Sequence, residues 1–255
     1  MDVVFIGAGN VATHLSLAMQ KAGYTIVQVY SQTSASASSL ANRLQTQWTT
    51  DIHAIVNTAD YYIFSIKDNA LQTVIDQMPA NNGCWIHTAG SVPMELFKGY
   101  TKHYGVLYPL QTFSKTKELD FSIIPCFIEA NTKENESVIY EIVSRLSNNV
   151  QVLNSEKRKY LHLAAVFACN FTNHMYTLAN KILEEQGLSG EALLPLIDET
   201  SAKIHTISPA EAQTGPAIRY DQNIILKHLA LLTQPEVKDI YQIISKNIHK
   251  EHTHE

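Results

Sequence analysis

The sequence predicts an α/β protein, a doubly wound, mostly parallel Rossmann sheet followed by an all-α C-terminal domain. Three features lead there. An apolar run at the N-terminus, Val3-Val4-Phe5-Ile6, ends in the glycine pattern Gly7-Ala8-Gly9-Asn10-Val11-Ala12. Short apolar runs then alternate with helical patterns as far as Leu153, as a parallel sheet requires. Beyond Asn154 no strand pattern recurs. The expected division is a dinucleotide-binding domain over 1–153 and a helical domain for substrate and dimerisation over 154–255.

The elements follow in order. Val3 to Ile6 is a strand, Val11 to Ala22 a helix stopped by Gly23, and Thr25 to Tyr30 a second strand. A Ser- and Ala-rich stretch, Ser31 to Ser39, continues as helix through Leu44. Tyr61 to Ile66 is a buried strand before the helix Ala70 to Gln77. Cys84 to His87, Tyr104 to Leu107, Pro125 to Glu129 and Val150 to Leu153 are further strands, the last two flanking the helix Lys133 to Leu146. A helix then runs from Ser155 to Gln186, where Gly187 stops it. It has no charged residue between Tyr160 and Asn180, which predicts burial on most sides. Gly190 to Thr206, Asp221 to Leu232 and Pro235 to Lys250 complete the helices.

The G-x-G-x-x-A spacing has a chemical logic. Gly7 permits a tight turn, Gly9 lets a pyrophosphate approach bare backbone, and Ala12 lets the helix pack on the strand. Asn10 and Val11 open the helix, whose unpaired N–H groups and dipole favour an anion. Enzymes using NAD place an acidic residue at the end of the second strand. Here that place is Ser31, followed by Gln32-Thr33-Ser34, and small hydroxyls suit a ribose phosphate, so NADP is the expected cofactor. The nearest arginine, Arg43, lies further along the next helix. Ser65 and Lys67, after the third apolar strand, complete the expected cofactor contacts.

Composition removes several classes. A net charge of −5 argues against a broad nucleic-acid surface. The one basic cluster, Lys157-Arg158-Lys159, is expected as a solvated helix start. Cys84, Cys126 and Cys169 sit apart in apolar settings and read as buried free thiols of a reducing compartment. The N-terminus lacks the basic region of a signal peptide, and no apolar run is long enough to span a membrane, so a cytoplasmic location is expected. His249, His252 and His254 are expected in a disordered polar tail, with no metal site.

In such sheets ligands bind beyond the carboxyl ends of the strands. That gathers Ser65, Lys67, His87, Thr88, Gly90, Ser91, Tyr108 and Gln111 near one crevice. Reducing a C=O or C=N bond needs a proton donor, and histidine is the common choice near neutral pH. His87 is one candidate; it either faces the nicotinamide or is a core histidine bonded to a backbone carbonyl. His162, Val166 and Asn170 stand four apart and would share one helix face, offering His162 and Asn170 to substrate or to an interhelical hydrogen-bond network. Thr214-Gly215-Pro216 is a turn signal. After it, Arg219 suits a substrate carboxylate, or else a structural pair with Asp221, and Asp221 is placed to cap the following helix. Ser91, Arg219 and Asp221 are the expected substrate contacts.

Four strings taken together resemble a bacterial family. They are His87-Thr88-Ala89-Gly90-Ser91, Tyr108-Pro109-Leu110-Gln111-Thr112-Phe113, Tyr160 to Ala165 with Asn170, and Thr214 to Asp221. That family joins a Rossmann-like domain to a helical domain of unknown function and carries the label NADP oxidoreductase. More distantly it is similar to pyrroline-5-carboxylate reductase, ketopantoate reductase and the 3-hydroxyacid dehydrogenases. The resemblance covers nearly the whole chain. It implies hydride transfer, a C-terminal part like that of 6-phosphogluconate dehydrogenase, and no particular substrate. Two departures stand out. The family usually has His-Pro where this chain has Tyr108-Pro109. If Asn170 matches the asparagine of the hydroxyacid dehydrogenases, Val166 holds the place of their catalytic lysine.

The expected function is therefore NADP-dependent hydride transfer to a small carbonyl or imine substrate, by a homodimer assembled through the helical domain. The alternative is a nucleotide-binding sensor or regulator without catalysis. A third possibility is a helical interaction module with the Rossmann part as scaffold.

Overall fold

A computed structural model describes residues 1–253. Along the chain run β1 (Asp2–Ile6), α1 (Asn10–Lys21), β2 (Thr25–Tyr30), α2 (Ser34–Leu44), β3 (Gln47–Thr49), β4 (Tyr61–Phe64), α3 (Asp68–Ile75), β5 (Cys84–His87), β6 (Tyr104–Pro109), β7 (Cys126–Ala130), α4 (Lys133–Ser144) and β8 (Val150–Val152). Then follow α5 (Ser155–Ala165), a π-helical stretch over Val166–Phe171, α6 (Thr172–Glu184), α7 (Leu194–Lys203), α8 (Pro209–Ala212), α9 (Gln222–Leu231) and α10 (Pro235–Thr253). By internal contacts the chain divides into two compact units, Met1–Cys169 and Asn170 onward.

The strands form one sheet in the order β3-β2-β1-β4-β5-β6-β7-β8. All neighbours pair parallel except β6 and β7. The order reverses between β1 and β4, which makes the topological switch point where such sheets bind ligands. Both faces are covered, so alternate residues of one strand serve different cores. Val3 and Phe5 pack with Leu15, Met19, Leu40 and Ile142, whereas Val4 and Ile6 pack with Tyr62, Leu71, Ile75 and Phe97. The strand β3 escapes sequence reading because it is short and polar, with Trp48 exposed at the sheet edge.

One expectation fails where the helices begin. Arg158 does not sit in a solvated basic cluster; its side chain is 1% exposed. Its Nη1 donates to Glu129 Oε2 at 2.6 Å, and its Nη2 to the Val92 carbonyl at 2.5 Å and to Ser155 Oγ at 3.1 Å. Ser155 binds the same carboxylate through its backbone N–H at 2.9 Å and its hydroxyl at 2.6 Å. Lys157 and Lys159 remain exposed. Position along α5 decides this, because Arg158 lies on the turn facing β7 and its neighbours do not.

The helical run departs from expectation too. Tyr160 is 73% and Phe167 62% exposed, and no residue of Val166–Glu184 is buried. Lack of charge reports an aversion to water, not which surface faces inward. Cys84 and Cys126 are buried, and burial pushes each thiol up to about 12, but Cys169 is exposed on the π stretch. The C-terminal residues are helical through Thr253 rather than a loose tail. His249 Nδ1 lies 3.0 Å from the Ile218 carbonyl and stacks on Tyr220, and His252 Nε2 lies 3.0 Å from the Ala210 carbonyl. His254 falls outside the described residues. Among the described residues, no helix is long and apolar enough to cross a membrane and no cluster could hold a metal.

Replacing Glu129 by alanine leaves a buried guanidinium without its counter-charge and should cost about 3–5 kcal/mol of stability. Urea unfolding checks this. The double replacement Glu129→Leu with Arg158→Met should recover most of the loss.

Candidate active site

The carboxyl ends of β1, β4, β5 and β6 open on one edge of the sheet. At β1 the chain turns through Gly7, whose φ of +117° suits only glycine. A Cβ there would stand 2.2 Å from the Ser65 carbonyl oxygen, so the β1 and β4 loops touch through bare backbone. Gly9 is the N-cap of α1 and faces open space. No side chain caps that helix and its first turn has no acid, whereas Thr33, Thr132, Asn154 and Asp221 cap α2, α4, α5 and α9. The first amides of α1, at Asn10 and Val11, therefore suit a diphosphate. The side chains of Asn10 and His14 turn aside to the carbonyls of Phe113 and Ser114, at 2.9 and 2.8 Å.

At the end of β2, Ser31 is fixed by its N–H to Thr49 O (3.2 Å), and Thr33 and Ser34 stand exposed with no acid in the first turn of α2. That end of the sheet fits a ribose phosphate. After β4, Ser65 Oγ shares a hydrogen bond with Thr88 Oγ1 at 3.1 Å, and Lys67 is the exposed N-cap residue of α3. The Ser91 hydroxyl donates to Asp68 Oδ2, joining the β5 loop to α3.

A second polar contact at this edge pairs Tyr108, at the end of β6, with His162 of α5. Tyr108 Oη lies 2.9 Å from His162 Nδ1, and the ring planes meet at 75°. The imidazole packs on the β5 loop at Gly90, where a Cβ would come within 2.5 Å of Nδ1. Tyr108 is buried, which pushes its pKa up; the Arg158 charge pulls the other way. Sequence reading put Tyr108 in the crevice without a role. The pairing was hidden because it joins residues 54 apart in the chain.

A scan against family models matches residues 2–85 to "NADP oxidoreductase coenzyme F420-dependent" and residues 124–248 to "Domain of unknown function (DUF2520)". A Bacteroides fragilis protein provisionally named an NADP oxidoreductase shares 48% identity over 98% of both chains, with a TM-score of 0.92. The chain belongs to this NADP oxidoreductase family. NADP is the cofactor of the family, in keeping with the hydroxyls at Ser31 and beyond. Two more distant structures share the fold. One is an imine reductase from Myxococcus stipitatus in complex with NADP+, at 15% identity, covering 100% of this chain and 93% of the other, with a TM-score of 0.69. The other is a 1-pyrroline-5-carboxylate reductase from Streptococcus pyogenes, at 12% identity over 98% of both chains, with a TM-score of 0.65. No curated protein matches.

The other histidine of the NADP oxidoreductase edge is of a different kind. His87 is wholly buried, its Nδ1 accepts from the Ala89 N–H at 3.2 Å, and its Nε2 has no partner. Burial, with the Arg158 charge nearby, pulls its pKa down to about 3. It is a neutral core histidine that contacts the Phe97 ring, and besides the Ala89 N–H the Pro93 carbonyl acts on it, opposing the downward shift. The helix that carries the predicted stripe passes from α into a π stretch at Val166, where turns close i→i+5; His162 and Val166 are half-buried and Asn170 is exposed.

In the second unit, Asn170 and Arg219 are exposed, and Arg219 forms no ion pair with Asp221 among the described residues. Asp221 caps α9, its Oδ1 accepting from the Ile224 N–H at 3.3 Å. Just before it, Tyr220 adopts a left-handed φ of +48°.

A histidine whose folded pKa falls below its unfolded value makes the unfolded state bind the extra proton on acidification. Stability is therefore full above pH 6.5 and is lost between 6.5 and about 3, at up to about 1.4 kcal/mol per pH unit. Urea unfolding across that range should show this slope, and His87→Gln should flatten it.

Proposed function

We propose that the protein is an NADP-dependent reductase of a small carbonyl or imine compound, with His162 as the group that serves the heteroatom. One observation carries this. A partly exposed imidazole, held by Tyr108, stands at the same sheet edge as the uncapped end of α1. The bound coenzyme supplies a hydride equivalent to carbon. The chain must then hold the substrate and stabilise the charge growing on oxygen or nitrogen, which a histidine N–H does. The backbone at Gly9, Asn10 and Val11 would bind the diphosphate, Ser31 the ribose phosphate, and Ser65 and Lys67 the approach to the nicotinamide. Ser91 is a candidate to orient substrate from the β5 loop. Arg219 suits a carboxylate through a two-pronged hydrogen bond, and Asn170 offers an exposed amide.

A sensor without catalysis is the second reading, favoured by the apolar Val166 where related dehydrogenases have lysine. The uncharged, exposed run from Tyr160 to Asn180 supports a homodimer through the helices, since an apolar face this long favours a covering partner.

With NADPH at 100 times its dissociation constant, stability should rise by about 2.7 kcal/mol, read as a thermal shift, with a smaller gain from NADH. His162→Gln should lower kcat by roughly 10²-fold or more on whichever keto acid or cyclic imine the protein reduces, while leaving NADPH binding intact. Cofactor binding without turnover across the panel would favour the sensor. Light scattering should give twice the chain mass at micromolar concentration.

A further inference from the structure

We propose that Tyr108 is a positioning residue that locks His162 in the tautomer protonated at Nε2, so that the substrate atom docking there is a lone-pair acceptor. The proposal rests on the reductase reading only for its second half.

The first half follows from accounting for hydrogens. A neutral imidazole has one N–H and one bare nitrogen; a phenol has one O–H to give and lone pairs to receive. Tyr108 is a buried residue, and His162 Nδ1 is the one hydrogen-bond partner of its hydroxyl among the described residues. If Nδ1 carried the proton, it would donate to the phenol oxygen, and the phenol hydrogen would have no acceptor among the described residues. With the polarity reversed, O–H donates to Nδ1 and nothing is left unpaired. Arg158 acts in the same sense. Its positive charge opposes the effect of burial on the phenol, which makes the O–H the better donor. The guanidinium cannot wander, since Glu129, Ser155 and the Val92 carbonyl hold it.

The proton then sits on Nε2. That nitrogen makes no hydrogen bond among the described residues, yet it is not among the buried unpartnered atoms, so it is open to solvent. Gly90 keeps the imidazole seated, because a side chain there would strike both Nδ1 and Cγ, at 2.5 and 2.6 Å. The sheet edge therefore presents a fixed donor. A carbonyl oxygen or an unprotonated imine nitrogen can receive it. A protonated or N-alkylated iminium has no lone pair to offer and brings a cation toward a donor.

Nitrogen-15 NMR of the histidine rings in the full chain tests the lock without any reaction. His162 is assigned by the signal lost in His162→Gln. Above the imidazole titration, wild-type Nδ1 should show the shift of an unprotonated nitrogen and couple to a slowly exchanging hydroxyl proton. In Tyr108→Phe that proton disappears and Nδ1 moves toward the position of a solvent-averaged ring. A protonated Nδ1 in the neutral wild-type ring, or an unchanged Nδ1 in Tyr108→Phe, overturns the lock. With NADPH and a carbonyl compound that turns over, Tyr108→Phe should lower kcat by roughly 10–100-fold at unchanged KM for NADPH, less than loss of the donor itself. An N-alkyl cyclic iminium reduced as fast as the carbonyl overturns the acceptor rule. If the lock is seen by NMR but no carbonyl, imine or iminium is reduced while NADPH binds, the reductase reading falls and the tautomer assignment stands.

Discussion

The buried ion pair of Arg158 with Glu129 is the constraint on which the geometry of the first unit depends. A guanidinium that is 1% exposed must be met by charge and by hydrogen bonds at nearly every nitrogen, or the helix carrying it cannot dock. Glu129 comes from β7, Ser155 from the first turn of α5, and Val92 from the chain after β5. These partners fix α5 in rotation as well as position. His162 lies one helical turn beyond Arg158 on the same face, so the anchoring of one sets the reach of the other toward Tyr108. The polar edge of the sheet is thus positioned by a contact that touches no ligand. One nitrogen, Nε of Arg158, is left without a partner, as is Nε2 of His87.

The first unit reserves different means for different ends of its helices. The N-termini of α2, α4 and α5 are finished by a side chain of the preceding residue, at Thr33, Thr132 and Asn154, whereas α1 and α3 have no side-chain cap. At α1 the cap residue is Gly9, and the side chains that could curl back, Asn10 and His14, are engaged elsewhere. The positive end of that helix stays available, at the point where the strand order reverses. Fold and chemistry coincide here because both need small residues: Gly7 for the contact with the Ser65 carbonyl, Ala12 for packing.

How far the sequence discloses this depends on the range of each interaction. Strand and helix order, the glycine turn and the absence of an acid after β2 are local, and each is visible in a few consecutive residues. The cap role of Asp221 is local too. The role of Arg158 is not, because its partners lie 29 and 66 residues away and a run of three basic residues ordinarily marks a wet surface. The burial of His87 was one of two readings open from its strand, and only packing against Phe97 chooses between them. The π turn was unforeseen, since nothing in Val166-Phe167-Ala168-Cys169-Asn170-Phe171 announces it. Exposure of the long helix was unforeseen for a related reason: apolar composition does not state whether the covering surface belongs to the same chain.

The segment after β6 is tied down in an asymmetric way. Asn10 and His14 grip Phe113 and Ser114 by their carbonyl oxygens, which every amino acid possesses. The hold on Ser114 is therefore written into the helix and not into the segment, whereas Phe113 is held by its ring too, against His14 and Phe121. Residue 114 can drift in evolution without letting go of its mooring; positions 10 and 14 have no such freedom.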